Sequence, residues 1–134
     1  MTEQEVLELG EVRYVVYEEK LRLALEQEPD VVKLEADPNR LCLSLEVDYK
    51  PLKTRLGLHL AQLSRERGYL PIGIIRHNTR GNRGNFVSLS FRSLPGNNVS
   101  EICRANGGGG YPQAAKMQLN RVKFDNEWKV SNYT

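Results

Sequence analysis

The chain predicts an α/β fold, an α+β mixed sheet with flanking helices, in a single domain. Three observations carry that prediction. Residues 41–47 alternate Leu41, Leu43, Leu45 and Val47 against Cys42, Ser44 and Glu46, the period of a half-buried strand. Residues 86–93 do the same, with Val87, Leu89 and Phe91 on one face and Phe86, Ser88, Ser90 and Arg92 on the other. Between them Leu52, Leu56, Leu60 and Leu63 recur at the spacing of one helical face. A length of 134 residues has room for one core.

The elements follow in order. Thr2-x-x-Glu5 has capping-box form and opens a stretch rich in Glu, Lys, Leu and Ala that runs to about Glu28. Tyr14, Tyr17, Leu21 and Leu25 would share one face of a helix there, with Gly10 bending or interrupting it. The run from Val12 to Tyr17 is also strand-like, so both readings stay open. Pro29 ends the element, because the residue before a proline is pushed out of the α region. Residues 1–28 are therefore read as an acidic helix or inter-domain linker, and residues 29–134 as the domain proper.

Val31–Glu35 is a short strand, turned by Ala36-Asp37-Pro38-Asn39 into the strand at 41–47. Pro51 begins a helix that stops at Gly68. Tyr69–Ile75 is a strand with Pro71 at its start, where a missing N–H is tolerated. His77 to Asn85 is a polar, glycine-containing hairpin loop, returning as the strand at 86–93. Asn98 caps a short helix whose buried side is Val99, Ile102 and Cys103, and Gly107 stops it. Pro112 to Lys116 reads as the start of another short helix, since proline suits a first helical position and Gln-Ala-Ala-Lys is helix-forming. Met117–Phe124 is a last strand, with Trp128 and Val130 tacking the tail onto the body.

A net charge of +2 hides an asymmetry. Residues 1–52 hold 13 acids and 6 bases, whereas residues 53–124 hold 12 bases against Glu66 and Glu101 alone. A basic block of that size is a footprint for a polyanion, unless it faces the acidic part of the same chain. The block contains Gly107-Gly108-Gly109-Gly110-Tyr111, four consecutive glycines feeding the expected helix. Bare amides and a helix N-terminus aimed at one spot suit a phosphate; a simple surface turn is the alternative. The run is neither a Walker pattern nor a complete G-x-G-x-x-G. Ser90 and Arg92 would form a polar wall beside it. Arg76, Arg80, Arg83 and Lys116 are candidate nucleic-acid contacts.

Cys42 and Cys103 sit among apolar residues and read as buried free thiols. His59 and His77 are the two histidines, and the aspartates are Asp30, Asp37, Asp48 and Asp125. None of these six cluster, so no metal site and no catalytic residue are expected. No window is apolar enough for a membrane span. The acidic start, without an apolar leader core, gives a cytoplasmic expectation and no membrane partner.

Phe91-Arg92-Ser93, the helix Val99–Arg104 and the run Gly107 to Ala115 together resemble the DHHA1 domain. This is the C-terminal substrate-binding domain of DHH-family phosphoesterases, which include RecJ-like nucleases and NrnA-type oligoribonucleases. The resemblance covers roughly residues 30–124 in element order, with its specific residues within 88–116. It implies that Arg92 pairs with a phosphate oxygen, as a guanidinium fork can, and that Gly108, Gly109 and Gly110 offer backbone amides. Tyr111 stands where the family has histidine, leaving an aromatic face and a phenolic donor. Lys116 replaces the family's glycine.

In that family two divalent metals, Mn or Mg, sit in a separate catalytic domain, whose Asp-His-His motif does not occur in this sequence. The chain is thus expected to bind single-stranded nucleic acid or a nucleotide phosphate without cutting it, holding no cofactor of its own. Two other readings stand beside this one: a part of an active phosphodiesterase or nuclease that needs a DHH domain in cis or in trans, and a diverged protein-interaction domain. Whether Arg92 and Tyr111 line a common cleft separates the binding readings from the last.

Overall fold

The computed structural model describes Thr2, residues 15–78 and residues 85–130. Its centre is a six-stranded mixed sheet in the order β1-β2-β3-β4-β6-β5. The strands are β1 (Asp30–Lys33), β2 (Leu41–Glu46), β3 (Ile72–Asn78), β4 (Phe86–Ser93), β5 (Gly109–Tyr111) and β6 (Ala114–Asn120). The neighbours β2 and β3 run parallel and every other pair is antiparallel. A parallel pair needs a long crossover, and helix α2 (Lys53–Glu66) supplies it. The α/β mixed sheet read from the strand and helix periods is the fold observed.

Helix α1, described over residues 15–25, and α2 cover one face of the sheet. Leu21, Ala24, Leu52, Leu56 and Leu60 meet Leu43, Leu45 and Ile75 there. Leu25 stands outside this core, exposed to solvent. The expected face of α1 holds at Leu21, which is buried, and at Tyr17, which packs against it, while Ala24 takes the buried place expected of Leu25; Tyr14 and Gly10 lie outside the described residues.

The other face carries the larger core. Val87, Leu89 and Phe91 of β4 and Ala115, Met117 and Leu119 of β6 pack with Val99, Ile102 and Cys103 of α3 (Val99–Ala105), and with Phe124 and Trp128. Asn98 caps α3, its side chain accepting the Ser100 N–H at 3.1 Å. The tail docks as expected: Val130 N–H donates to Val31 O at 2.9 Å.

Two expectations fail here. Residues 112–116 are not a helix: Pro112 and Gln113 form a turn, and Ala114 begins β6. Five residues of good propensity cannot repay helix nucleation by themselves. Extended chain instead lets Gln113 O accept from Ser93 N and Pro112 O from Val99 N. At its other end β6 stops at Asn120, whose side chain accepts from Lys123 N, and residues 121–128 are helical.

Candidate functional site

Among the described residues, helices α1 and α2 cover only part of their face. Helix α2 packs on β2, β3 and β4. Beyond it, the same face of β4, β6 and β5 carries polar residues. Residues directly opposite each other in an antiparallel pair share a face, so the register defines three rows. His77, Ser88 and Gln118 form one. Ile75, Ser90, Lys116 and Gly109 form the next, and Gly73, Arg92, Ala114 and Tyr111 the third. Arg92 and Tyr111 thus share one face of the sheet, with β6 between them.

Arg92 is braced rather than free. Its Nε and Nη2 donate to Thr54 Oγ1 at 3.4 and 3.3 Å, and its Nη1 to Phe91 O at 2.9 Å. Its aliphatic stem lies against Gly57, where a Cβ would come within 2.6 Å of Arg92 Cγ. Gly73 permits the same closeness below, since its Cβ would sit 2.2 Å from Gly57 O. A glycine in mid-helix is unfavourable by about 1 kcal/mol relative to alanine. Here it is the space through which α2 and Arg92 meet.

Lys50 and Lys53, at the start of α2, complete the arrangement. Burial holds the Lys53 ammonium below its ordinary value, and Lys50, Lys116 and Arg92 push it further down. Burial likewise lowers Arg92, although a guanidinium keeps its charge in proteins. Among the described residues no ion pair reaches Lys50, Lys53, Arg92 or Lys116. Helix α2 has no acid in its first turn and bears Lys53 there instead. Positive charge at a helix N-terminus opposes the helix dipole. Four cations and that dipole end therefore meet with no ion-paired acid among the described residues, a field that favours an anion.

Several expected site residues take other roles. Arg76 is withdrawn from any surface role: it is buried, pairs with Asp30 at 2.7 Å, donates to Ser44 Oγ at 2.8 Å and stacks 4.9 Å from the Phe124 ring centroid. Strand alternation sends it to the opposite face from His77. Arg80 and Arg83 lie outside the described residues. Ser90 is only 2% exposed, so it is floor beneath the cations rather than a contact. Lys116 and Tyr111 are exposed, Tyr111 by 77%.

The glycines serve the fold first. Gly107, at φ +86°, closes α3 with Gly107 N donating to Arg104 O at 3.2 Å and Gly108 N to Cys103 O at 2.7 Å, a Schellman pair. A Cβ on Gly108 would meet Lys116 O at 2.1 Å, and one on Gly110 would meet Ala115 Cα at 2.6 Å. The run is thus a tight seam against β6, and the amides of Gly107 and Gly108 are already engaged. It does line a recess of about 600 Å³, together with Asn106, Ser88, Lys116 and Gln118. Arg92 and Tyr111, both in the third row, do not line that recess, so it is not the common cleft expected of them.

Sequence reasoning missed Lys50, Lys53, Thr54, Gly57 and His77. Lysines at the start of a helix, where acids are favoured, and a glycine within its apolar stripe were the available signals. Both cysteines are buried and free; burial pushes the Cys103 thiol up to about 12 and Cys42 higher still, so neither is a nucleophile at neutral pH. Among the described residues no three His, Cys, Asp or Glu side chains converge on a point. They therefore do not fit the two-metal centre of the resembled family. Among the described residues, no helix is long and apolar enough to cross a membrane.

No family model matches the chain, and no curated protein matches it. Among solved structures the chain is similar to a pGpG-specific phosphodiesterase, PggH from Vibrio cholrae, at 15% identity and a TM-score of 0.47. The similarity covers 91% of this chain and 38% of that one. A likeness of that strength carries no argument about residues or chemistry. The site stands on its own geometry.

Proposed function

We propose that this chain is a binding module for the phosphates of short single-stranded nucleic acid or a nucleotide, of the kind that DHH phosphoesterases carry beside their catalytic domain. One observation carries the reading: Lys50, Lys53, Arg92 and Lys116 gather where the start of α2 meets the sheet, and among the described residues none of the four is ion-paired to an acid. Gathering like charges is unfavourable, and an anion relieves it. Arg92 presents a planar fork suited to a phosphate, held by Thr54 and Gly57. Tyr111 offers an aromatic face two strands away, and stacking on such a face is tolerant of base identity. Cleavage, on this reading, belongs to a partner domain with the metals.

Fluorescence anisotropy with a labelled five-nucleotide strand tests it. Binding is expected at low salt and to weaken steeply as salt rises. Arg92→Ala should reduce affinity by about tenfold or more, the loss of a charge-assisted contact. Absence of binding at low salt overturns the reading.

A further inference from the structure

His77 belongs to the same surface but to none of the motifs. Register places it in the row of Ser88 and Gln118, beside the four cations. Its Nδ1 is buried and has no hydrogen-bond partner among the described residues. A buried imidazole nitrogen in that condition calls for an explanation. Among the described residues, the charged groups facing it are Lys53 on α2 and Lys50 before it, Lys116 on β6, and one acid, Asp48, in the loop after β2. Burial first, and then three positive charges against one negative, disfavour its protonated form. An anion arriving among those lysines reverses the balance.

Resting on the phosphate-binding reading above, we propose that His77 is a proton-coupled contact of the bound anion. The imidazole takes one proton from solvent as a phosphate settles among Lys50, Lys53 and Lys116, and then adds its own charge and donor to the seat. The surroundings agree in sign. Burial, then Lys53 and Lys50, hold His77 below its ordinary value, Asp48 pulls the other way, and Lys116 adds to the depression. Protonation and binding are linked, so each favours the other. Affinity should therefore rise as pH falls through the bound-state value, and level off below the free-state value.

The probe is a strand of five thymidines without a terminal phosphate, since its diester phosphates do not titrate between pH 5 and 8. Proton NMR of the whole chain follows the imidazole signals of His59 and His77 against pH, with and without the strand. His59 is exposed on α2, so His59→Gln assigns the two signals. With saturating strand the His77 midpoint should move up and that of His59 should stay. Calorimetry at pH 7 in MOPS and in imidazole buffer should show proton uptake on binding, lost in His77→Gln. Wild-type affinity should be about three- to tenfold tighter at pH 6 than at pH 8, and flat in that variant.

If the strand binds but the His77 midpoint does not move, or the uptake persists in His77→Gln, the proposal is overturned and the binding reading survives. If the strand does not bind at low salt, both fall.

Discussion

Two sets of basic residues, all but Lys50 drawn from residues 53–124, meet opposite fates. Along α1, α2 and the strand ends, Arg55 pairs with Glu18 at 3.2 Å, Arg67 with Glu28 at 3.0 Å, Arg76 with Asp30 at 2.7 Å and Arg121 with Glu46 at 2.8 Å. Where the start of α2 meets the sheet, Lys50, Lys53, Arg92 and Lys116 form no ion pair with an acid among the described residues. The acidic first part of the chain thus neutralises one portion of the basic block, and the fold holds the other portion out of its reach. Net charge along a sequence measures neither portion. What matters for a ligand is the charge left unpaired after folding.

The sharpest way to break that comparison is at Arg76, the buried member of the paired set. Arg76→Ala leaves Ser44 and Asp30 without their donor and opens space beside Phe124. Urea unfolding should show a loss of about 3 kcal/mol, while strand affinity per folded molecule stays as in wild type. A large loss of affinity with little loss of stability would put Arg76 in the wrong set.

Next is Gly73→Ala. Its Cβ would press on the backbone of α2 at Gly57 O, so α2 must lift from the sheet, at about 2 kcal/mol by the usual range for overpacking. The lift also draws Thr54 and Lys53 away from Arg92, so stability and affinity should fall together.

A matched pair sharpens the contrast further. Lys116→Ala should weaken strand binding about fivefold and reduce the salt slope by about one, with the unfolding midpoint unchanged. Arg55→Ala, which breaks an exposed ion pair, should leave both affinity and midpoint as they are. Equal effects of the two on affinity would mean that the paired and unpaired sets do not differ in function.

The smallest effect is acid sensitivity. His77 has a folded value below its ordinary 6.5, so below pH 6.5 the unfolded chain binds the extra proton first. Its contribution is fully present above that pH and is lost as pH falls through the folded value. Unfolding free energy measured without ligand should rise with pH just below 6.5, and His77→Gln should flatten that rise.

Much of the sheet was legible because its signals are local. The alternation in β2 and β4, the leucine stripe of α2 and the Asn98 cap each need only neighbouring residues to be read. Residues 112–116 show where local reading stops. Their propensity favours a helix, yet Ala115 is a small residue that lets Gly110 and the β5 backbone come close, and the carbonyls of Pro112 and Gln113 serve α3 and β4. Arg76 and Arg92 show the same limit for function. Both are arginines at strand positions in the basic block, and nothing local separates the one buried in an ion pair with Asp30 from the one that pairs with no acid among the described residues.

By itself the sequence determined that the chain would form one mixed sheet with flanking helices, that Arg92 would stand on a polar face, and that glycines would crowd one turn. Periodicity and steric freedom act over a few residues, so they are written in order along the chain. The tertiary structure alone decided that Gly107, Gly108 and Gly110 close a seam against β6, that Arg76 turns inward to Asp30, and that Lys50, Lys53 and His77 join Arg92 and Lys116. Coulomb interactions and close packing depend on distance in space, and only the folded chain sets those distances.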